Sequence, residues 1–118
     1  MTDSITTPVH PSELPSTIRT FLAAHAAREI EAAARTLAGH AVVVDQDETY
    51  AGEREVLRFL QGAGSEFTYT TELLTAGRTD ETHWEAVNRI EGDFPGNVAD
   101  LTYRFTLDGD LISELTIR

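Results

Sequence analysis

The period-two alternation that fills the second half of the chain constrains the fold more than any other feature of the sequence. Ala99, Leu101, Tyr103, Phe105 and Leu107 alternate with Asp100, Thr102, Arg104 and Thr106. Successive side chains of a strand point to opposite faces, so this segment reads as a strand with one face on a core and the other in water. Asp108-Gly109 follows, a pair suited to a tight hairpin turn, and Leu111 to Ile117 returns as the next strand. Upstream, Trp84, Ala86, Asn88 and Ile90 alternate with His83, Glu85, Arg89 and Glu91. Phe67, Tyr69, Thr71 and Leu73 do the same with Thr68, Thr70 and Glu72. Ala76-Gly77-Arg78-Thr79-Asp80 and Gly92-Asp93-Phe94-Pro95-Gly96-Asn97 carry the residues of connecting turns. Together these segments predict an antiparallel meander.

The first half changes period. Leu14 and Pro15 open a helix whose apolar face is Leu14, Ile18, Phe21 and Leu22, continued by His25. A second helix places Ile30, Ala33, Ala34 and Leu37 on one side and ends at Gly39. Then comes AVVVDQDETYAGEREVLRFL, from Ala41 to Leu60. Its three valines favour a buried strand, and Asp45 stands where that strand stops. Gly52 marks a return to helical spacing at Val56, Leu57, Phe59 and Leu60. Residues 1–13 read as a flexible tail, and residues 14–118 as a single α+β domain with its N-terminal helices packed on one face of a curved, mostly antiparallel sheet.

Composition narrows function mainly by exclusion. Twenty acidic residues against 9 basic ones give a formal charge of −11, which repels phosphate backbones and anionic membranes. With no cysteine there is no disulfide and no thiolate nucleophile or ligand. No stretch has the length of a membrane span, and the N-terminus lacks the basic start and apolar core of a secretory signal, so a cytoplasmic location is expected. No two histidines have the spacing of a metal site, and Asp45, Asp47 and Glu48 lack the glycine and distal glutamate of a calcium loop. No phosphate-cradling glycine loop or nucleophile elbow is present. Neither a metal nor an organic cofactor is expected.

Two helices, VVVD, YAG, a third helix, and long hairpins ending in RFTLDGDLISELTIR together resemble the nuclear transport factor 2-like superfamily, especially its SnoaL-like branch. The resemblance covers roughly Leu14 to Arg118 and rests on loose motifs. It implies a cone-shaped fold, a pocket between sheet and helices, and a homodimer built through the sheet. The superfamily includes ketosteroid isomerases, polyketide cyclases and epoxide hydrolases, besides members that only bind or dimerise. A ketosteroid isomerase uses an aspartate base with an oxyanion hole made of a tyrosine and a protonated aspartate. The resemblance puts the base at Asp45, but it puts Phe21 at the tyrosine position and Leu101 at the second aspartate. Asp100 is adjacent to Leu101 and points to the other face of its strand. Steroid isomerisation by that route is therefore not expected.

The residues nominate a site with alternatives attached. Asp45 is a general base if it faces an apolar pocket, which would raise its pKa, or a solvated aspartate after a strand if it does not. His25 is a proton shuttle beside it, or a histidine serving its own helix end. Tyr69, Trp84, Asn88 and Tyr103 share inward faces and are expected to line a ligand cavity, with packed core as the alternative. Asn88 is the most informative of these, because an amide on a buried face needs a partner. Tyr50 belongs at the pocket mouth or beneath the third helix, and Phe21 joins the lining through the resemblance. His10, His40 and His83 are expected at the surface. The sequence thus points to a protein that binds a small apolar or moderately polar ligand, acting as a cofactor-independent isomerase, cyclase or hydratase. The alternative is a non-catalytic binding or dimerisation module with a filled pocket.

Overall fold

The computed structural model describes residues 5–62 and 67–118. Its elements run in the order β1 (Thr7–Val9), a 3-10 turn (Pro11–Glu13), α1 (Ser16–Ala26), α2 (Ile30–Ala34), β2 (Leu37–Asp45), β3 (Glu48–Ala51), α3 (Glu53–Gly62), β4 (Tyr69–Arg78), β5 (His83–Gly92), β6 (Val98–Asp108) and β7 (Leu111–Ile117). All seven strands form one sheet in the order β1-β4-β5-β6-β7-β2-β3. Every pairing is antiparallel except β2 with β7, so the expected meander from β4 to β7 is joined in parallel to the strand that ends at Asp45. The fold class is α+β, with the helices on one face of an open sheet.

Alternation explains which face is which. Ala41 and Val43 of β2, Tyr103 and Phe105 of β6, and Leu115 and Ile117 of β7 are buried against Ile18 and Phe21 of α1 and Val56, Phe59 and Leu60 of α3. On the other face Arg89 reaches Asp100 with two hydrogen bonds of 2.8 and 3.1 Å, the pairing that period two requires for Asp100. The sheet is interrupted by register shifts between Leu73 and Thr75 and between Thr106 and Leu107. A bulge of this kind bends its strand and increases the local twist, which lets the sheet wrap around the helices.

Three expectations from the sequence need correction. Residues 7–13 are not a loose tail: Thr7–Val9 pairs with Arg78, Gly77 and Ala76, and His10 caps the following turn with Glu13 in a reciprocal capping box. Ala76, Gly77 and Arg78 are not a turn, because the bulge at Leu74 resets the alternation and β4 continues to Arg78. Gly77 is there because a Cβ at that site would run into the Thr6 side chain of the segment entering β1. Lastly, α2 stops at Ala34 and Leu37 already belongs to β2. The Thr36 hydroxyl donates to the Ala33 carbonyl at 2.6 Å and closes the helix, while the Thr36 carbonyl accepts from the Ile112 amide. Gly39 therefore sits inside an irregular strand, where β2 takes five steps from Leu37 to Val42 against two on β7.

Candidate functional site

The end of the sheet where β2 and β7 finish, together with the start of β6, opens on a cavity of about 350 Å³. Asp45 reaches it because β2 alternates Ala41, Val43, Asp45 toward the helices, and its neighbour in register is the inward-facing Ile117. The strand also ends there for a local reason. Gln46 has a positive φ of 56°, and its amide donates to the Ile117 carbonyl at 2.8 Å, turning the chain into β3. The Asp45 carboxylate has no hydrogen-bond partner among the described residues. Burial raises its pKa above the ordinary carboxylate value.

His25 comes to the same cavity from the last turn of α1. Its ring is stacked between Phe21, at 5.3 Å and 13°, and Phe59, at 5.7 Å and 19°. Burial, with the positive charge of Arg28 nearby, pushes its pKa down to about 4, so the imidazole is neutral at physiological pH. Tyr103, from β6, lies edge-on to His25 at 6.4 Å, and its side chain is buried. Burial, and the neighbourhood of Tyr69 and Asp45, raise the pKa of its phenol, which stays protonated. That hydroxyl also has no hydrogen-bond partner among the described residues. A carboxylate, a neutral imidazole and a protonated phenol thus line one small apolar volume.

Its remaining walls are Phe59, Tyr69, Ile90, Ala99, Leu101 and Ile117, with Phe67, Phe94 and Pro95 at the rim. Tyr69 is steadied by Arg28, whose guanidinium lies 5.5 Å from the ring centroid. Phe67 and Phe94 meet edge to face at 6.1 Å. The turn carrying Phe94 is fixed from below: Asn97 donates to the Gly92 carbonyl at 2.9 Å, and Asp93 accepts from the Thr68 amide at 2.8 Å.

The structure brings together some of the nominated residues and separates others. Asp45, His25, Tyr69 and Tyr103 share the cavity, and Asn88 lines a small recess that adjoins it through shared walls. Leu101 lines it as an apolar wall. Phe21 does not reach it, because the His25 ring lies between. Tyr50 packs beneath α3, 5.4 Å from Phe59 and under the Arg58 guanidinium, on the far side from the opening. Trp84 is at the wrong end of its strand. It pairs with Arg78 and Phe105, six residues from Ile90, which at about 3.3 Å per residue is roughly 20 Å from the cavity. The rim residues Phe67, Phe94 and Pro95 and the wall residue Phe59 were not singled out as site residues by sequence reasoning. Phe94 had a usable signal, since an aromatic inside a Gly-Asp-Phe-Pro-Gly turn has nothing within its own hairpin to cover it.

No protein-family model and no curated protein matches the chain. Solved structures do. A presumptive polyketide cyclase from Sinorhizobium meliloti is 27% identical, with a TM-score of 0.84 over 93% of this chain and 100% of that one. A Catenulispora acidiphila protein with a ketosteroid isomerase-like fold, solved with trimethylamine, is 14% identical at a TM-score of 0.75 over 93% of this chain and 86% of that one. The chain has the nuclear transport factor 2-like fold. A nuclear transport factor 2-like protein from Cytophaga hutchinsonii superposes too, at 11% identity and a TM-score of 0.69 over 86% and 85% of the two chains. Among the described residues of this nuclear transport factor 2-like chain no helix is long and apolar enough to cross a membrane. Nor, among them, do three or more His, Cys, Asp or Glu side chains gather as a metal site.

Proposed function

We propose that this protein catalyses cofactor-independent proton transfer on a small apolar carbonyl compound, as an isomerase or cyclase. The observation that carries the reading is the meeting of Asp45 and Tyr103, each without a hydrogen-bond partner among the described residues, in one apolar cavity. Asp45 removes a proton from the carbon next to the carbonyl, and the electron pair moves onto the carbonyl oxygen. The Tyr103 hydroxyl donates a hydrogen bond to that developing enolate oxygen. Where a carbon–carbon double bond extends the enolate, the proton held by Asp45 returns to the far carbon of the dienolate, giving an isomer. Otherwise the enolate carbon adds to a second carbonyl and the proton goes to the resulting alkoxide oxygen, giving a ring and restoring Asp45. A raised carboxyl pKa brings Asp45 closer to working pH, where a general base is most effective. His25, neutral and stacked, shapes the wall without adding a positive charge that would hold Asp45 ionised. The 27% identity to a presumptive polyketide cyclase supports this class of substrate.

The test is deuterium incorporation. Cyclic and polyketide-like ketones are incubated in heavy water with the protein and followed by proton NMR for loss of the signal next to the carbonyl. Exchange that falls roughly 100-fold or more in Asp45→Asn, as expected for removal of a general base, supports the reading. Exchange at the same rate in the variant and in the wild type removes Asp45 from the chemistry.

A further inference from the structure

The cavity at Asp45 does not end at His25. A narrow recess of about 40 Å³ adjoins it, sharing His25, Tyr69, Ile90, Leu101 and Tyr103 and adding Leu22, Ala26, Thr71 and Asn88. Those last four residues in turn line a third recess, an apolar groove of about 400 Å³ that opens between α1, the 3-10 turn and β4. On α1 the groove is cut by Arg19, Leu22, Ala23 and Ala26, which are i, i+3, i+4 and i+7 and so occupy one face of the helix. The two alanines make room on that face.

The groove is not merely apolar. Asn88 is only 3% exposed, and its side-chain amide has no hydrogen-bond partner among the described residues. Among the described residues Trp84 Nε1 is the one fully buried side-chain polar atom without a partner, so the unpaired Asn88 amide is open to the recesses it lines and marks a place for a polar group. Across the same groove lies Arg19. Its Nε donates to the Leu14 carbonyl at 3.0 Å, which fixes the guanidinium, while the terminal nitrogens have no hydrogen-bond partner among the described residues. An anchored guanidinium and a buried amide facing one groove are two donors suited to a planar carboxylate. The formal charge of −11 disfavours a multiply charged anion at the same spot.

We propose that the three recesses form one bent channel that binds a linear-chain carboxylic acid derivative. Its carboxylate sits between Arg19 and Asn88, its chain passes the waist between Leu22, Ala26, Leu101 and Tyr103, and its far end lies beside Asp45. The inference builds on the reading of Asp45 above, because it places the reacting end of the ligand there. It adds a second mouth and the anchor that measures chain length from it.

The test uses isotope-labelled full-length protein and three probes: decanoic acid, 1-decanol of the same length, and 2-naphthol, which is too short to pass the waist. Decanoate is expected to shift the NMR signals of Ile90, Ala99 and Ile117 at one end and of Leu22, Ala23 and Leu73 at the other, whereas 2-naphthol shifts only the first group. Arg19 is exposed, so Arg19→Gln is expected to fold, and it should weaken decanoate at least tenfold more than 1-decanol. Decanoate shifts confined to the Asp45 end, with no effect of Arg19→Gln, would overturn the channel and leave the Asp45 site standing. Shifts from no probe at the Asp45 end would overturn the proposed function and the channel with it.

Discussion

Acidification from pH 7 to pH 5 should destabilise this protein through one histidine. His25 has a folded-state pKa of about 4, against an ordinary value of 6.5, because its ring is buried between Phe21 and Phe59 with Arg28 nearby. A depressed pKa means that the unfolded chain takes up the proton first. The stability that the neutral ring confers is therefore complete above the unfolded value of 6.5 and is lost as the pH falls toward about 4. Full loss is on the order of 3 kcal/mol, at about 1.4 kcal/mol for each unit of difference, and roughly 2 kcal/mol of it falls between pH 7 and pH 5. With about 1–3 kcal/mol per molar urea for a small domain, the midpoint should drop by around 1 M. The assay is urea unfolding of the wild type and of His25→Phe, which keeps a ring in the stack but cannot bind a proton. Their difference isolates His25 from the carboxylates, which also titrate. Parallel falls in stability for the two proteins would refute the reasoning, because they would show that His25 is not held neutral by its surroundings.

Other outcomes follow from the same geometry. Asp45→Asn should raise stability at pH 7, because burial disfavours the ionised carboxylate, and the gain should shrink as the pH falls through the raised pKa of Asp45 toward 3.8; urea midpoints at the two ends of that range measure it. Tyr103→Phe removes a hydroxyl with no hydrogen-bond partner among the described residues, so thermal unfolding should move by less than about 1 kcal/mol while deuterium exchange into a bound ketone falls at least tenfold. Gly92→Ala should cost about 2 kcal/mol or more in urea unfolding, since its Cβ would collide with the Thr68 carbonyl and with Tyr69. Phe105→Ala, at a 1% exposed core position, should cost about 3–5 kcal/mol by the same assay.

The sequence made the meander and its inner face readable because period-two alternation is a local property. Each of Tyr103, Phe105 and Leu115 announces its face through its immediate neighbours. It made Asp45 readable for the same reason, two residues beyond Val43 on the same face. What the sequence concealed depends on distances along and across strands. Trp84 and Ile90 share a face by parity, yet parity says nothing of the roughly 20 Å between them. Tyr50 and Phe21 are aromatics near the site in sequence, but each lies behind another ring, Phe59 or His25, and only packing decides which ring is in front. The bulge at Leu74 broke the alternation on which the strand reading relied, so β4 seemed to end before it did. The strand at Thr7–Val9 carries no alternation of its own and forms because β4 offers it a free edge.

The parallel seam between β2 and β7 has a consequence for how the molecule is born. A hairpin such as β6–β7 brings together neighbours in the chain, whereas Asp45 and Ile117 must close a loop of about seventy residues, with an entropy cost that grows with its length. Contacts of such long range slow folding and come late. On a ribosome the helices and the first hairpins can collapse while the seam is still unmade. The Asp45 end of β2 then waits on β7, so closing the cavity and closing the sheet are one event.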